Sequence, residues 1–309
     1  MKVKAWLERA KERIPAVDAE LMVLMAFRED WPYGVDRSYL VLHDEAEITP
    51  GRLQYLTEML VRRIKKEPLA YILGEKEFYG RMFWVTPEVL IPRPETENMI
   101  DLVKELKLPK QVRFFEVGTG SGCVAITLAL EFPQAKVLAT DISTHALDIA
   151  EQNDVIHEGR VEFIQADLIK DLADQIQNEP LPLSELPGEA ELLERDGRAE
   201  RMRAWFENLK FDVVVANLPY VNPAWTWLDA EALDYEPKTA LFVRSENGLG
   251  LYRRFFDELE LVETKYVVVE ADPCQHDELV RLAEARGWGC QKTAGFALLF
   301  VPLAKPSKQ

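Results

Sequence analysis

FFEVGTGSGCVAITLAL, residues 114–130, reads as a strand, a glycine-rich turn and a helix. Gly118, Gly120 and Gly122 permit positive φ and let backbone approach a ligand closely. The helix that follows turns its N-terminus towards that ligand. The spacing is G-x-G-x-G. It lacks the Lys-Ser/Thr of a phosphate-binding loop and is not the G-x-G-x-x-G of dinucleotide sites. Glu116, at the strand end, sets a carboxylate beside the loop, which repels a pyrophosphate and attracts a cation.

Outward from this loop, strands and helices alternate. Candidate strands are Val112–Val117, Lys136–Thr140, Val161–Ala166, Phe211–Ala216 and Tyr266–Glu270. This rhythm predicts an α/β fold with a mostly parallel sheet covered on both faces. GCQKTAGFALLFV near the C-terminus suits a closing antiparallel hairpin. Asp141 ends the second strand, where an acid accepts ribose hydroxyls in nucleotide-binding sheets. Asp167 ends the third, within reach of an adenine edge together with Leu168. Each Asp alone is as readily a solvated or helix-capping residue. The loop and the acids together point to a nucleoside-bearing cation, S-adenosylmethionine.

Residues 1 to about 70 carry apolar residues at helical spacing, among them Leu7, Ala10 and Ile14, and predict a small helical domain. Residues 76–91 predict a hairpin around Gly80. Pro94, with Glu95 and Glu97, opens a helix. Residues 171–200 break the rhythm with nine acids, two arginines and three prolines. They read as a solvated insertion extending to about 206, with a partner-docking element as the sharper alternative. RMRAWF (201–206) could end an added amphipathic helix.

Bulk properties limit the function. The chain has 309 residues, 48% of them apolar, and a net charge of −16. That charge opposes a phosphate backbone and weighs against a nucleic-acid binder. Cys123, Cys274 and Cys290 show neither disulfide nor metal spacing, so no metal is expected and a reducing cytoplasm fits. No signal peptide or membrane span is expected.

The fourth strand ends in Asn217-Leu218-Pro219-Tyr220 at the carboxyl edge of the sheet, where ligands bind. Pro219 stiffens the turn and holds Leu218 extended. This set suits a planar NH₂ group: the Asn217 oxygen and the Leu218 carbonyl accept its two hydrogens, and Tyr220 packs over the plane. A turn with a capping Asn and a packed Tyr is the alternative. An amide or exocyclic nitrogen is a poor nucleophile, and two acceptors hold it in line with a methyl donor.

The chain resembles the HemK/PrmC family, which methylates N5 of a release-factor glutamine. The resemblance covers nearly all of it: EPLAYILGEKEFYG (67–80), VLIPRPETE (89–97), EVGTGSGCVAITLA (116–129), Asp141, Asp167, YEPKTALF and GLGLYRR (235–254). It implies a Rossmann-like, seven-stranded class I S-adenosylmethionine-dependent methyltransferase domain over 94–309. A helical substrate-recognition domain at 1–75 and a hairpin linker at 76–93 precede it. It implies cofactor contacts from Glu116, Gly118, Thr119, Gly120, Ser121, Gly122, Asp141, Asp167, Leu168 and Asn217. It implies catalysis and glutamine binding by Asn217, Leu218, Pro219 and Tyr220, with Phe78 and Arg93 bordering the site. Arg93 reads more readily as an ion-pair partner of an acid such as Glu97. The implied partner is a release factor bearing Gly-Gly-Gln, bound by a cytoplasmic monomer.

Two features depart from the family. Leu218 replaces the first Pro of the usual Asn-Pro-Pro-Tyr, and Asn-Leu-Pro-Tyr is more like the rRNA adenine dimethyltransferases. The insertion at 171–206 is the other. An N6-adenine methyltransferase acting on RNA or DNA is therefore the competing reading, and a cofactor-binding paralogue without turnover a third.

Overall fold

A computed structural model describes residues 1–30, 37–178, 209–222, 225, 234–243, 245 and 247–304. The N-terminal segment is helical: α1 (Val3–Lys11), α2 (Ala16–Phe27), α3 (Arg37–Leu42), α4 (Pro50–Ile64) and α5 (Leu69–Leu73). Thr49 starts α4 by accepting the Arg52 N–H, with Pro50 in the first turn, where its missing N–H costs nothing. The apolar stripes meet in one cluster that includes Trp6, Leu7, Met22, Phe27, Leu56 and Met59.

Strands β1 (Glu75–Phe78) and β2 (Arg81–Trp84) pair antiparallel. Their turn is Tyr79-Gly80, with φ of 51° and 74°, the positive values that a tight two-residue hairpin requires. The strands end at Trp84; the rest of the 76–91 stretch expected to be hairpin runs on irregularly. Asn153, fully buried, ties the hairpin down. Its Oδ1 accepts the Trp84 N–H, and its Nδ2 donates to the carbonyls of Trp84 and Ser121. One side chain thus joins the hairpin to the glycine loop.

After a single 3₁₀ turn at Pro94–Thr96, α6 (Glu97–Lys104) leads into the α/β part. Its elements are β3 (Arg113–Val117), α7 (Cys123–Glu131), β4 (Lys136–Asp141), α8 (Thr144–Ile156), β5 (Val161–Gln165), α9 (Leu168–Asn178), β6 (Val213–Ala216), α10 (Lys238–Leu241), α11 (Gly250–Glu258), β7 (Tyr266–Glu270), α12 (His276–Glu284), β8 (Trp288–Ala294) and β9 (Ala297–Pro302). The seven strands β3–β9 form one sheet in the order β5-β4-β3-β6-β7-β9-β8, parallel except for β9. β6, Val-Val-Val-Ala, is buried throughout, as a strand covered on both faces must be. Phe114 and Phe115 face opposite sides and seed two clusters, one under α6, α7 and α8, the other under α9, α11 and α12.

The structure corrects one expectation at the hairpin. Phe78 is fully buried beside Phe83, ring centroids 6.1 Å apart, in the cluster that holds Met99, Ile100 and Phe114. It has no surface to offer a substrate. The first residues of the acidic insertion are the helix α9; the expectations for residues 179–206 lie outside the described residues.

Phe78→Ala is expected to cost about 3–5 kcal/mol, read as a lower denaturation midpoint. The affinity of the folded protein for cofactor should not change, because the side chain does not reach the site.

Candidate active site

The chain runs from β3 outward through β4 and β5, then returns to lay β6 against the other side of β3. Ligands bind at such a switch point. Val117 and Ala216 are register partners, so the glycine loop and Asn-Leu-Pro-Tyr leave the sheet side by side.

The loop is shaped by its own hydrogen bonds. Gly118, Gly120 and Gly122 have φ of 77°, 55° and 80°. The N–H groups of Gly118 and Thr119 donate to the Thr140 carbonyl at 2.8 and 2.9 Å. A Cβ on Gly122 would lie 2.9 Å from Ile126 Cδ1 and 3.1 Å from Ala150 Cβ, so α7 and α8 pack too closely there for a side chain. Glu116, 2% exposed, accepts the Thr119 hydroxyl at 2.5 Å and the Ala125 N–H at 3.0 Å. Burial pushes its carboxyl up to about 8, against those two hydrogen bonds. Asp141 accepts the Gly120 N–H at 2.8 Å and the Ser143 N–H at 2.9 Å, one on each oxygen. Burial raises its pKa too. A carboxylate has about four lone-pair sites, so Asp141 keeps acceptor capacity for a ligand hydroxyl.

A cavity of about 400 Å³ opens over this loop, a size that suits a small-molecule ligand. Glu116, Gly118–Ser121, Asp141, Asp167, Leu168 and Asn217–Pro219 all line it, so the cofactor residues read from sequence converge. Gly122 sits beneath, in the helix packing. Asp167 carries an ion pair with Arg254 at 3.1 Å. Leu168 is buried with φ of 58°, a strained conformation for a non-glycine residue. Val89, Pro92, Phe242 and Val243 supply an apolar wall opposite the sheet.

Asn217 is held from behind. Its Nδ2 donates to Thr96 Oγ1 at 3.2 Å, and both groups adjoin the Glu270 carboxylate. The Tyr220 hydroxyl donates to Glu270 Oε1 at 3.0 Å. Burial raises the Glu270 pKa, opposed by Thr96, Tyr220 and Asn217 as donors. Leu218, 3% exposed, donates its N–H to the Tyr252 hydroxyl at 3.2 Å, and that hydroxyl donates to the Glu270 carbonyl. Among the described residues the Leu218 carbonyl accepts no hydrogen bond. Gln275 donates to the carbonyls of Tyr220 and Asn247 at 3.0 and 2.7 Å.

Two expectations change here. Tyr220 does not present its ring to the cavity: its hydroxyl is drawn to Glu270 and its body packs on the cluster around Tyr252. Arg93 lines the cavity, but its partner is Glu236, with Nη2 donating to Oε1 at 2.6 Å; Glu97 instead accepts the Tyr79 N–H. Sequence reading gave no role to Thr96, Glu236 or Glu270. Glu270 carried a usable signal, as the only charged residue of Tyr-Val-Val-Val-Glu at a strand's carboxyl end.

Two family models match the chain. The PrmC N-terminal domain matches residues 2–74, and the methyltransferase small domain matches residues 101–181. A release factor glutamine methyltransferase of Koribacter versatilis is 38% identical over 251 residues, 80% of this chain and 75% of that protein. Proteins of the same description from Bacteroides thetaiotaomicron and Neisseria gonorrhoeae are 36% and 35% identical, over 72% and 80% of this chain and 68% and 76% of theirs. The chain belongs to the release factor glutamine methyltransferase family. The sheet is accordingly that of a class I methyltransferase, and S-adenosylmethionine is the cofactor. The residues present fit a cationic nucleoside: an open glycine backbone, carboxylates at Glu116 and Asp141, and an apolar cavity wall. Among the described residues no helix is long and apolar enough to cross a membrane.

The raised Glu116 pKa sets a pH dependence. Without cofactor, the folded chain holds this proton up to about 8, whereas the unfolded chain releases it near 4.5. The folded state therefore binds more protons between those values, and stability falls as pH rises through that window. Glu116→Gln is expected to flatten part of the fall, measured as the denaturation midpoint against pH. An equally steep fall in the variant would contradict the assignment.

Proposed function

We propose that this protein transfers a methyl group from S-adenosylmethionine to the side-chain amide nitrogen, N5, of the glutamine in a release factor's Gly-Gly-Gln loop. The observation that carries this reading is a pair of acceptors at the switch point to which none of the described residues donates. They are the Asn217 oxygen and the Leu218 carbonyl, side by side with the glycine loop in a chain of this family.

The sulfonium of the cofactor supplies an electrophilic methyl group. A primary amide nitrogen has two hydrogens and a delocalised lone pair. Asn217 Oδ1 accepts one hydrogen and the Leu218 carbonyl the other, which orients the nitrogen and favours its pyramidal form. The N–C bond forms as the C–S bond breaks, and the nitrogen then loses a proton to solvent. No strong base is needed beforehand. Pro219 fixes the direction of the Leu218 carbonyl, and Arg93, held by Glu236, turns a cation to the cavity wall where the acceptor peptide enters.

On this reading residues 1–75 recognise the release factor, 76–93 link, and 94–309 catalyse. Tyr235 donates to the Lys65 carbonyl at 2.7 Å, which joins the helical part to the stretch that carries Glu236. The enzyme acts in the cytoplasm as a monomer and needs no direct nucleic-acid contact, in line with a net charge of −16. An adenine amine offers the same two hydrogens, but a flipped base needs a positive approach path.

Asn217→Ala is expected to lower methyl transfer to the release factor by about a hundredfold or more. Labelled S-adenosylmethionine, offered in parallel to a release factor and to ribosomal RNA, reads this out. Label on RNA alone would refute the substrate assignment.

A further inference from the structure

We propose that Glu270 is a positioning residue for the reaction: it is the terminal acceptor that fixes the Asn217 amide with its nitrogen turned inward and its oxygen turned towards the substrate. This rests on the glutamine-methylating reading above. An Asn side chain is nearly symmetric in shape but not in chemistry, since one end donates two hydrogens and the other accepts. Only one of its two orientations serves. Flipped, it would present hydrogens to a substrate NH₂ and bind nothing there.

The hydrogen-bond chain breaks this near-symmetry. Asn217 Nδ2 donates to Thr96 Oγ1 at 3.2 Å. A hydroxyl alone cannot hold that orientation, because it can rotate and donate to a flipped amide oxygen. A carboxylate only accepts. The Tyr220 hydroxyl donates to Glu270 Oε1 at 3.0 Å, and the Thr96 hydroxyl and the Asn217 amide adjoin the same carboxylate. The buried Glu270 carboxylate beside Thr96 is an acceptor open to the Thr96 hydrogen, which leaves the Thr96 oxygen for Asn217. Glu270 is 1% exposed, and its Oε2 accepts no bond of ordinary geometry among the described residues. Water does not compete for these donors, and acceptor capacity exceeds demand. The Asn217 nitrogen is engaged on this side through Thr96, while the residue also lines the cavity.

The elements involved are far apart in sequence. Thr96 precedes α6, Asn217 follows β6 and Glu270 ends β7. Thr96 belongs to Ile-Pro-Arg-Pro-Glu-Thr-Glu, so the chain gives that motif a task in the reaction: it relays the orientation set by Glu270 to the amide.

The test uses the full chain, S-adenosylmethionine and a release factor bearing Gly-Gly-Gln. Glu270→Gln keeps the shape but brings donors that satisfy a flipped Asn217. It is expected to lower kcat about tenfold or more, with KM for the release factor and Kd for the cofactor within about twofold. In an Asn217→Ala background, where no amide remains to orient, it should add less than about twofold. Wild-type kcat in Glu270→Gln, or losses that multiply with Asn217→Ala, would overturn the proposal. Thr96→Val, which removes the relay and keeps the carboxylate, is expected to lower kcat in the same way; wild-type kcat there overturns it also, even if Glu270→Gln does not fold.

A second readout does not depend on activity. In nitrogen-labelled protein, the Asn217 side-chain NH₂ signal, assigned by its loss in Asn217→Ala, should be protected from exchange and lose that protection in Thr96→Val and Glu270→Gln. Unchanged protection overturns the positioning role. A wild-type chain with the protected amide that methylates no release factor refutes the substrate reading alone.

Discussion

The parallel pairing of β3 with β6 is the constraint on which the site depends. It joins two strands about a hundred residues apart in sequence and brings Val117 level with Ala216. A slip of one residue would turn every side chain of β6 to the other face. Because β6 is buried on both faces, hydrophobicity alone does not forbid such a slip. Anchors at the strand ends help to fix the register. Asp212 Oδ2 accepts the Arg113 N–H, and the Asp212 N–H donates to the Arg113 carbonyl. At the far end, Leu218 lies directly against Gly118: a Cβ on that glycine would come within 3.1 Å of Leu218 Cδ2. The cofactor loop and the acceptor loop therefore share one packing contact and cannot move independently.

That contact changes the meaning of Leu218. In the family's usual tetrapeptide a proline at this position has no N–H and is stiff by covalent constraint. Leu218 is stiff by other means. Its side chain is buried among Ala216, Tyr252 and neighbours in the core, and its N–H reaches the Tyr252 hydroxyl. The hydroxyl, fully buried, would leave an unsatisfied acceptor if the donor moved, a cost of about 1–3 kcal/mol. From the other side Gln275 clips the Tyr220 carbonyl, and Gly248 lies so close beneath it that any Cβ would collide. The loop is held in place without its first proline.

Local chemistry made much of the site legible. Glycines at alternate positions after an apolar strand, an acid at the next strand end, and Asn-x-Pro-Tyr after a β-branched run each depend on neighbours in sequence. Alternation predicted the mostly parallel sheet, and the resemblance implied its seven strands. What was illegible acts across distance: Thr96 meets Asn217 over 121 residues, Tyr220 meets Glu270 over 50, and Arg93 meets Glu236 over 143. Nothing local sets Glu236 above Glu97 as the partner of Arg93. Phe78 failed differently. Membership in a motif does not say which face of a strand a side chain takes, and here the hairpin turns Phe78 into the core and leaves Met82 half exposed.

The same accounting explains why an acidic protein buries carboxylates where it binds. Glu116, Asp141 and Glu270 all sit beneath or beside the cavity, and burial raises the pKa of each. An ion in a poorly solvated place is costly unless paired or hydrogen-bonded. Each carboxylate is met by N–H or O–H donors, and among the described residues none forms an ion pair. Dipoles moderate the cost without cancelling the charge. A lysine or arginine placed here would settle the carboxylates fully and repel a cationic cofactor. Donors that carry no net charge leave these carboxyls free to ionise against a ligand that brings the positive charge. The division of labour follows from position: Glu116 and Asp141 shape the loop against which such a ligand rests, while Glu270, behind Asn217, spends its charge on orienting neutral groups. Both uses need a carboxylate that no cation has claimed.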